Sequence, residues 1–470
     1  MAEKKLMLGH KVRRLRRAEN LTQAQMAADL DISPAYLNLI EHNQRPVTAQ
    51  VLVKLASTYD LDLGSFAKDD EGELIQRMQE IFTDPALDDI RLSRQDYRDL
   101  AALSPEVVLA LQTLSDRFRE QREQLDAAAL MGASAEAVGA QDPQNEVRDF
   151  FHEAENHFPT LERLAEDIRQ EAGLVRITHN HDAVEKLEPL LGAAIKRMPP
   201  KIMGSILRRF DAHGGRLMLS EVLDRPSEAF QVCVQLILNH HRKALDQVLH
   251  NQDFHLPSAQ SLARQGLANY TAAAVLMPYK QFQIEALELR HDIDLLAQRF
   301  FTKREQVAHR LTTLQKPGAK GIPFFLIRVD QAGNVSKRFA AGGFHFARHG
   351  GTCPRWHIHE PAAANRDIRT DIVELPDNSK YLSLAIPCQK PSFGFGQPGQ
   401  AYTIGLGCDA VHAKDLVYAD GFNVPAYHPT PIGVNCGLCE RRDCSHRAYA
   451  PYHRNSVPDE NRREVSAVIF

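Results

Sequence analysis

The sequence predicts a multidomain protein with an all-α N-terminal domain, an α+β middle domain and a strand-rich C-terminal domain. Three observations lead to this fold class. At 470 residues, the chain has room for about three domains of roughly 150 residues each. Helical periodicity dominates as far as residue 315, apart from two predicted strands at 174–178 and 216–220. After residue 321 the pattern changes to short strands separated by glycine and proline, such as 322–329, 335–339 and 381–386. Hydrophobic residues make up 43% and charged residues 25% of the chain, which excludes wholesale disorder.

The domain boundaries follow changes in local composition. The segment GASAEAVGAQDPQN is rich in Ala, Gly and Ser and is typical of a linker, and KPGAKG marks the change from helices to strands. We therefore predict an N-terminal domain, a connecting region that can mediate dimerisation, a middle domain and a C-terminal domain, at 1–68, 69–145, 146–320 and 321–470.

Charge and hydropathy limit the class of function. A net charge of −4 means that any DNA-binding surface must be local, since the whole chain is not basic. No apolar run approaches the 18 or so residues of a spanning helix, and the N-terminus lacks the apolar core of a signal peptide. We therefore expect a cytoplasmic protein that has no contact with a membrane.

Two helix starts predict a helix-turn-helix within residues 1–68. Thr22 and Gln25 form a capping box at the start of one helix, and Ser33 is an N-cap that is followed by proline. A tight turn at 29–32 separates the two helices, and a basic amphipathic helix precedes them. Short capped helices in this order predict an all-α helix-turn-helix DNA-binding domain.

The second helix of such a domain presents its first side chains to base edges, while surrounding groups contact phosphates. Leu37 and Ile40 are expected to face the core. The predicted base contacts are Ser33, Ala35, Tyr36 and Asn38. The predicted phosphate or rim contacts are Arg14, Arg17, Gln23 and Arg45. The segment TQAQMAADLDISPAYLNLIEHNQRP resembles the xenobiotic-response-element and phage-repressor type of helix-turn-helix, which implies double-stranded DNA as a partner.

A further capped helix is predicted from Ser104 to Met131. Residues seven apart along it form two series that are apolar with one polar interruption, at Gln121: Leu111, Phe118 and Leu125, and Val107, Leu114, Gln121 and Ala128. This pattern of about three heptads is typical of a dimer seam, and it is equally typical of one face packed on its own domain. A homodimer, or a higher homo-oligomer, would suit a pseudo-palindromic operator.

The middle domain carries segments that resemble a metallopeptidase-like domain paired with such helix-turn-helix modules. These segments are AFQVCVQLILNHH and LANYTAAAVLMPYKQF. In that family, an H-E-x-x-H helix and a later Glu hold zinc and supply a base. The matching positions here are Val234, Gln235, Leu236, Ile237, Leu238 and Leu267. None of these side chains can bind zinc or abstract a proton, so we expect no enzyme.

LMPYKQF, HRLTTLQKPGAKGIPFF and the C-terminal third resemble the short-chain fatty acyl-CoA regulators over nearly the whole chain. The resemblance implies that acyl-CoA, either propionyl-CoA or acetyl-CoA, binds the middle domain as effector. It also implies control of genes for acyl-CoA and short-chain fatty acid metabolism. A CoA site needs cations for phosphates, an apolar slot and an aromatic or guanidinium plane. The candidates are Arg208, Arg209, Arg264, Tyr270, Met277, Tyr279 and Arg290.

Seven cysteines, an odd number, argue against a disulfide framework. Cys436, Cys439 and Cys444 lie on one short segment, a spacing typical of metal or cluster ligands. Cys353 and Cys408 both follow glycines and are alternative fourth ligands. The family resemblance implies an Fe4S4 cluster in the C-terminal domain. Zinc is the alternative cofactor, completed by His446 or His453.

Three classes of function therefore compete. The first is a transcription factor that senses acyl-CoA. The second is a zinc metallopeptidase-type regulator that cleaves a partner repressor, and Val234, Gln235 and Leu238 argue against it. The third is an acyl-CoA enzyme with an appended DNA-binding domain, for which the sequence shows neither a nucleophile–base pair nor a glycine-rich phosphate loop.

Overall fold

The computed structural model describes residues 9–19, 21–41, 44–59, 70–82, 87, 90, 92–103, 107–118, 143–174, 180, 182–250, 252–340, 343–344, 346, 351–360, 367–397, 399–422, 427–439, 441–449 and 465. The chain divides into two compact units, 1–140 and 141–470, and each is described by itself below. None of the described helices is both long and apolar enough to cross a membrane.

The described part of the first unit is helical. Its helices are α1 (Gly9–Ala18), α2 (Gln23–Asp29), α3 (Pro34–Glu41), α4 (Ala49–Tyr59), α5 (Asp70–Ile81), α6 (Arg94–Leu103) and α7 (107–118). The first four share a core that includes Val12, Met26 and Leu55. Leu37 and Ile40 are fully buried in this core, which confirms the predicted inner face of α3. The fold class of the N-terminal domain is thereby confirmed.

Helix α7 covers part of the helix predicted from Ser104 to Met131. Residues 104–106 and 119–131 lie outside the described residues. The predicted apolar series is exposed within α7, because four large side chains on one face show between 38% and 68% of their area: Val107, Leu111, Leu114 and Phe118. Within the described part of this unit, the series is not covered by the protein's own core.

The second unit begins with helices and a small sheet. The helices are α8 (Pro143–Glu153), α9 (Pro159–Glu171), α10 (Ala183–Leu191), α11 (Pro200–Met203), α12 (Arg225–His240), α13 (Arg242–Leu249), α14 (Pro257–Leu276), α15 (Tyr279–Glu288), α16 (Ile293–Phe300) and α17 (Arg304–Thr312). The strands are β1 (Ala194–Met198), β2 (Arg208–Asp211) and β3 (Arg216–Ser220). Strand β3 is central, parallel to β1 and antiparallel to β2. It has the predicted bounds, whereas 175–178 of the strand predicted from Leu174 lie outside the described residues.

The C-terminal part is strand-rich, as predicted, and its strands form a six-stranded sheet. The strands are β4 (Phe325–Asp330), β5 (Val335–Phe339), β6 (Arg369–Glu374), β7 (Lys380–Gln389), β8 (Ala401–Asp409) and β9 (Thr430–Pro431). Their order is β5-β4-β8-β7-β6-β9, and only the β6–β9 pair is parallel. The predicted strand 322–329 starts later, at β4, and 381–386 is the middle of the longer β7.

Both faces of this sheet are covered, which explains why β7 and β8 are almost continuously apolar. Side chains alternate between the two faces along β4. Leu326 packs in a core shared with α15, α16 and α17. Phe325 and Ile327 pack on the other face, in a second core that contains Trp356. Gly407 in β8 lies against the Phe325 ring, where a Cβ would collide with it. The two faces are therefore distinct chemical environments.

A buried ion pair joins α9 to α17 within the second unit. Both terminal nitrogens of Arg310 donate to the carboxylate of Glu162 in α9, at 2.7 and 2.9 Å. Nε of Arg310 donates to the carbonyl of Met277 at 2.8 Å, and the guanidinium lies 5.9 and 5.7 Å from the ring centres of Tyr270 and Tyr279. Burial alone would raise the pKa of Glu162, but Arg310 outweighs it and lowers that pKa.

Replacing Arg310 should destabilise the second unit strongly. We expect Arg310→Met to cost about 3–5 kcal/mol of unfolding free energy, because it leaves the Glu162 carboxylate buried without its cation. The double variant Glu162→Gln/Arg310→Met should recover part of this loss. Urea unfolding of the full chain measures both. The control is Arg299→Met, whose half-exposed guanidinium pairs with Glu285 at 3.3 Å, and which should cost less than about 1 kcal/mol. Equal losses for the two single variants would contradict the assignment.

Candidate functional site

The two predicted helix caps of the DNA-binding domain are present. At α2, the backbone amide of Gln25 donates to the Thr22 hydroxyl at 3.3 Å, and the Thr22 amide donates to the Gln25 side chain at 2.9 Å. At α3, the amide of Tyr36 donates to the Ser33 hydroxyl at 3.1 Å. Asp31 in the intervening turn has a φ of 54°, a left-handed conformation that asparagine and aspartate tolerate better than most residues. The caps and this turn set the angle between α2 and α3.

The predicted base contacts lie on one side of α3. Ser33, Ala35 and Asn38 are exposed, while Leu37 on the opposite side is buried. Tyr36 is partly buried, because it packs against the core of the domain. An exposed hydroxyl and an exposed amide at the start of the second helix are suited to reaching base edges in the major groove.

The predicted phosphate contacts have different surroundings. Arg45 is exposed after α3. Arg14 and Arg17 belong to α1, but their side chains lie outside the described residues. Gln23 has an internal role, since its amide donates to Glu41 at 2.9 Å and to Asn38 at 3.2 Å. The side chain of Gln23 therefore links α2 to the recognition helix.

One structural pair in this domain was not predicted from the sequence. Arg16 in α1 donates to both carboxylate oxygens of Glu41 in α3, at 2.6 and 3.1 Å. Burial favours a raised pKa for Glu41, but the bonds from Arg16 and Gln23 outweigh burial and lower it. The pair fixes the basic first helix against the recognition helix. Periodicity gives no signal for it, because the two residues are 25 positions apart.

Two of the three positions that match peptidase zinc ligands are in the interior of the middle domain, and the third, Leu238, is partly buried. Val234 in α12 and Leu267 in α14 are at most 1% exposed and belong to the same core. Gln235, at the position of the peptidase's Glu base, donates its side-chain amide to Asn239 at 2.8 Å. These side chains pack and hydrogen-bond within the domain, and none has the chemistry of a zinc ligand or a general base.

The predicted acyl-CoA residues do not come together in one site. Tyr270, Met277 and Tyr279 surround Arg310, where the Tyr270 hydroxyl donates to Glu162 at 2.6 Å. The Tyr279 hydroxyl donates to the carbonyl of Ala319 at 2.9 Å. These three residues therefore meet as predicted, but around an internal guanidinium. The sequence offered no signal that Arg310 would occupy their centre.

The four predicted arginines are spread over the second unit. Arg264 pairs with Asp246 at 2.6 Å, and Arg290 makes two bonds to Asp420 at 2.6 and 2.8 Å. Arg209 is exposed on β2. Arg208 on the same strand is partly buried, and burial lowers its pKa; its guanidinium donates to the Gln231 carbonyl at 3.3 Å. Two of the four cations are thus already paired with carboxylates.

Three predicted cysteine ligands are gathered on one face of the six-stranded sheet. Cys353, Cys436 and Cys439 are each 6% or 7% exposed, and Cys353 interacts electrostatically with the other two. Burial raises the pKa of Cys353, and the backbone amides of Gly433 and Arg355 partly oppose that rise. Cys444 follows on the same loop and is partly exposed.

Cys408 does not join this group, which corrects its prediction as a possible fourth ligand. It lies in β8 and is buried in the core on the helical face of the sheet, whereas Cys353 belongs to the core on the opposite face. Burial raises the pKa of its thiol, and its charged neighbours are Asp409 and Asp415 rather than cysteines. Strand alternation decides the side on which each sulfur lies.

Two arginines hold the cysteine loop, one by bonding to the loop's own backbone and one by bonding from the loop to the sheet. Arg447 donates to the carbonyls of Cys436 and Cys439, each at 2.9 Å. Arg441 donates to the carbonyls of Glu374 and Leu375 in and after β6, at 2.8 and 3.0 Å. A Cβ on Gly433 would lie 2.7 Å from the sulfur of Cys439, so the loop requires glycine there. His446 lies on the same loop, whereas His453 lies outside the described residues.

The cysteine group consists of thiols, which can bind zinc as well as iron–sulfur clusters. A zinc ion needs each sulfur at about 2.3 Å, which brings its ligands close together. Among the described residues, no three His, Cys, Asp or Glu side chains are arranged to hold one metal ion.

Helix-turn-helix geometry, a peptidase-like domain with apolar residues at its metal positions and a separate cysteine-bearing sheet together define a helix-turn-helix transcriptional regulator. Three family models match: "Helix-turn-helix" at 12–66, "IrrE N-terminal-like domain" at 190–312 and "Short-chain fatty acyl coenzyme A regulator, C-terminal" at 313–468. The chain belongs to the short-chain fatty acyl-CoA regulator family.

Relatives match over almost the full length. The chain is 36% identical over 473 residues to the HTH-type transcriptional regulator RamB of Mycobacterium tuberculosis, covering 99% of both proteins. It is 37% identical over 459 residues to the propionyl-CoA carboxylase regulator of Cereibacter sphaeroides, covering 98% of this chain and 97% of that protein. A solved Mycobacterium tuberculosis transcriptional regulator has a TM-score of 0.65 and 34% identity, and it covers 70% of this chain and 100% of its own.

Two substitutions should separate base reading from phosphate contact. We expect Asn38→Ala to weaken binding to duplex DNA from the protein's own upstream region by about 1–3 kcal/mol, without changing the salt dependence. Arg45→Ala should instead lower the slope of log affinity against log salt by about one. Fluorescence anisotropy at several salt concentrations measures both effects.

The control is Gln50→Ala, which removes an exposed amide from α4 rather than from the recognition helix. It should leave both quantities unchanged. An Asn38→Ala protein that binds its own upstream region as tightly as the wild type would remove Asn38 from the base contacts.

Proposed function

We propose that this transcriptional regulator is controlled by a short-chain acyl-CoA, either propionyl-CoA or acetyl-CoA, and regulates genes of short-chain fatty acid metabolism. The observation that carries the proposal is a peptidase-like domain without zinc ligands in a chain whose C-terminal part matches the acyl-CoA regulator model. The relative named as a propionyl-CoA carboxylase regulator supports propionyl-CoA as one effector.

The alternative of a peptidase that cleaves a partner repressor is less well supported. It needs a metal and a base at α12, where Val234 is buried and Gln235 bonds to Asn239. A domain that keeps its fold and loses its catalytic residues is suited to binding without turnover. We therefore infer that the protein is not an enzyme.

An effector can change DNA affinity only by its difference in affinity for two arrangements of the protein. Such coupling typically amounts to about 1–3 kcal/mol, or about 5- to 150-fold in affinity. The buried pair between Glu162 and Arg310 links the middle helices rigidly to α17, which packs on the sheet. Ligand binding to the middle helices would therefore change the position of the sheet, and binding to the sheet would change that of the helices.

We infer further that the regulator acts as a homodimer through α7. Its exposed apolar series, Val107, Leu111, Leu114 and Phe118, has the spacing of four, three and four that fits a coiled-coil seam. Apolar side chains in such a row are costly to leave in water, and a second copy of the chain would cover them. A symmetric dimer would recognise two half-sites about one helical turn apart, so the operator would be pseudo-palindromic.

Gel-shift titration on the upstream region tests the sensor function. Propionyl-CoA or acetyl-CoA should change the affinity of the full chain for this DNA by about 5- to 150-fold. Free CoA and propionate serve as controls for the two halves of the effector. An unchanged affinity with both acyl-CoAs would contradict the proposal, and metal-dependent hydrolysis of a protein substrate would support the peptidase alternative instead.

We propose that the C-terminal domain holds an Fe4S4 cluster through Cys353, Cys436, Cys439 and Cys444. Three of these thiols are buried near one another, and Gly433 leaves the space that their loop needs. The cluster would supply either a structural cross-link or a redox-sensitive group. Arginines that bond to the loop carbonyls would hold the thiols in place before the cluster is assembled.

Metal analysis of protein purified without oxygen tests this assignment. The wild type should contain about four iron and four sulfide per chain and absorb visible light. Cys353→Ser should lose most of the iron, whereas the matched variant Cys408→Ser should retain it, because Cys408 faces the other core. Equal iron loss in both variants would contradict the ligand set, and a colourless protein that contains zinc would exclude the cluster.

A further inference from the structure

The three-stranded sheet of the second unit has one face on the core and one face that is largely exposed. Its central strand β3 turns Leu217 and Leu219 into the core, where both are fully buried. Arg216 and Met218 lie on the opposite face, together with the residues that pair with them on β1 and β2. Except for Ser220, each residue of this outer face is exposed or partly exposed. The outer face consists of Ala194, Lys196, Met198, Arg209, Asp211, Arg216, Met218 and Ser220.

The outer face carries three cations and one carboxylate. Lys196 and Arg209 flank Met218 on the two neighbouring strands, and Arg216 lies two residues before Met218 on β3. The three cations are exposed, and none of their side chains forms an ion pair or hydrogen bond with any residue that the structure describes. Asp211 accepts two backbone amides of the β2–β3 turn, at 3.0 and 3.1 Å. The outer face therefore has a net positive charge.

The positive charge extends along the segment that forms the sheet. Residues 194–216 contain six lysines and arginines and one acidic residue, whereas the whole chain has a net charge of −4. Arg197 donates to both carboxylate oxygens of Glu228, at 2.6 and 2.9 Å, and Arg208 donates to a backbone carbonyl of α12. Lys201 in α11 is exposed, and its side chain has no hydrogen-bond or ion-pair partner in the described part of the chain. Four cations of the segment can therefore meet an external partner: Lys196, Lys201, Arg209 and Arg216.

Solubility alone does not explain this arrangement of charge. Charged side chains on edge strands such as β1 and β2 discourage pairing with other sheets, but a mixture of both signs serves that purpose equally well. Cations that share one face repel one another, and binding of a polyanion offsets that cost. The outer face is therefore suited to a partner that carries many closely spaced negative charges.

Duplex DNA is a polyanion of this kind, with one negative charge per about 1.7 Å of its axis. The helix-turn-helix of the first unit binds DNA, and a tethered second site meets the bound DNA at a high effective concentration. Even a weak contact from the second unit would then be occupied.

We propose that the outer face makes a second, sequence-independent contact with the phosphates of the DNA that the helix-turn-helix binds. Lys196, Arg209 and Arg216 are the principal cations, and Lys201 lies on the helix that joins β1 to β2. Such a contact adds affinity without adding specificity, because phosphates position a protein on DNA and carry no sequence information. It also makes the binding of the full chain more sensitive to salt.

Fluorescence anisotropy of the full chain with duplex DNA from its upstream region, at several salt concentrations, tests the inference. The sheet variant Lys196→Gln/Arg209→Gln/Arg216→Gln should lower the slope of log affinity against log salt by about three, since each phosphate contact contributes about one. The same decrease is expected on a duplex of equal length and scrambled sequence, because the contact does not read bases. Arg209→Lys/Arg216→Lys, which keeps both charges, should retain the wild-type slope.

The matched control is Lys243→Gln/Lys280→Gln/Lys414→Gln, which removes the same charge from exposed positions elsewhere in the second unit. It should change the slope by less than about one, because these lysines do not share the outer face. A slope that falls in the sheet variant and not in the control would support the inference.

An unchanged slope in a sheet variant with wild-type thermal unfolding would overturn the inference. A control that lowers the slope as much as the sheet variant would also overturn it, because loss of charge anywhere in the unit would then suffice. An unchanged slope together with lost binding to poly-L-glutamate would assign the outer face to an acidic polypeptide instead of DNA. If the sheet variant unfolds, the single variants Lys196→Gln, Arg209→Gln and Arg216→Gln decide, since each should lower the slope by about one.

Discussion

The second unit depends on one fully buried guanidinium. Arg310 must remain paired with Glu162, because Arg310 is fully buried and no water can replace its partner. This pairing holds α9, α14 and α17 together around the Arg310 guanidinium. The rings of Tyr270 and Tyr279 pack against the same guanidinium. Residues that looked available for a ligand are consequently used to hold the domain together, and the middle helices are joined to the sheet.

The sheet then separates two chemical environments. Its helical face is closed by the core that contains Cys408, and its other face carries the aromatic core around Trp356 together with Cys353. The cysteine loop lies beside Cys353. The buried thiols of Cys353, Cys436 and Cys439 thus lie near one another, away from Cys408.

The middle domain has a peptidase-like fold, but its side chains at the positions of the peptidase's metal ligands are apolar. Val234 and Leu267 fill with hydrocarbon the positions where the related peptidases have metal ligands, and this packing stabilises the domain. Gln235 keeps a polar side chain but bonds it to Asn239. The relatives that match this chain over almost its full length are likewise named as regulators.

Local patterns in the sequence were sufficient for the helix caps at Thr22 and Ser33, the inner face of α3 and strand β3, because these depend on neighbours a few residues away. The class of helix-turn-helix transcriptional regulator was also predicted from the sequence and is confirmed by the family models. The pairing of Arg310 with Glu162, 148 positions apart, could not be predicted from the sequence. Nor could the sequence decide whether Cys353 or Cys408 lies near the other cysteines. Such contacts depend on how distant segments pack and on which face of a strand a side chain takes, and only the tertiary structure decides that.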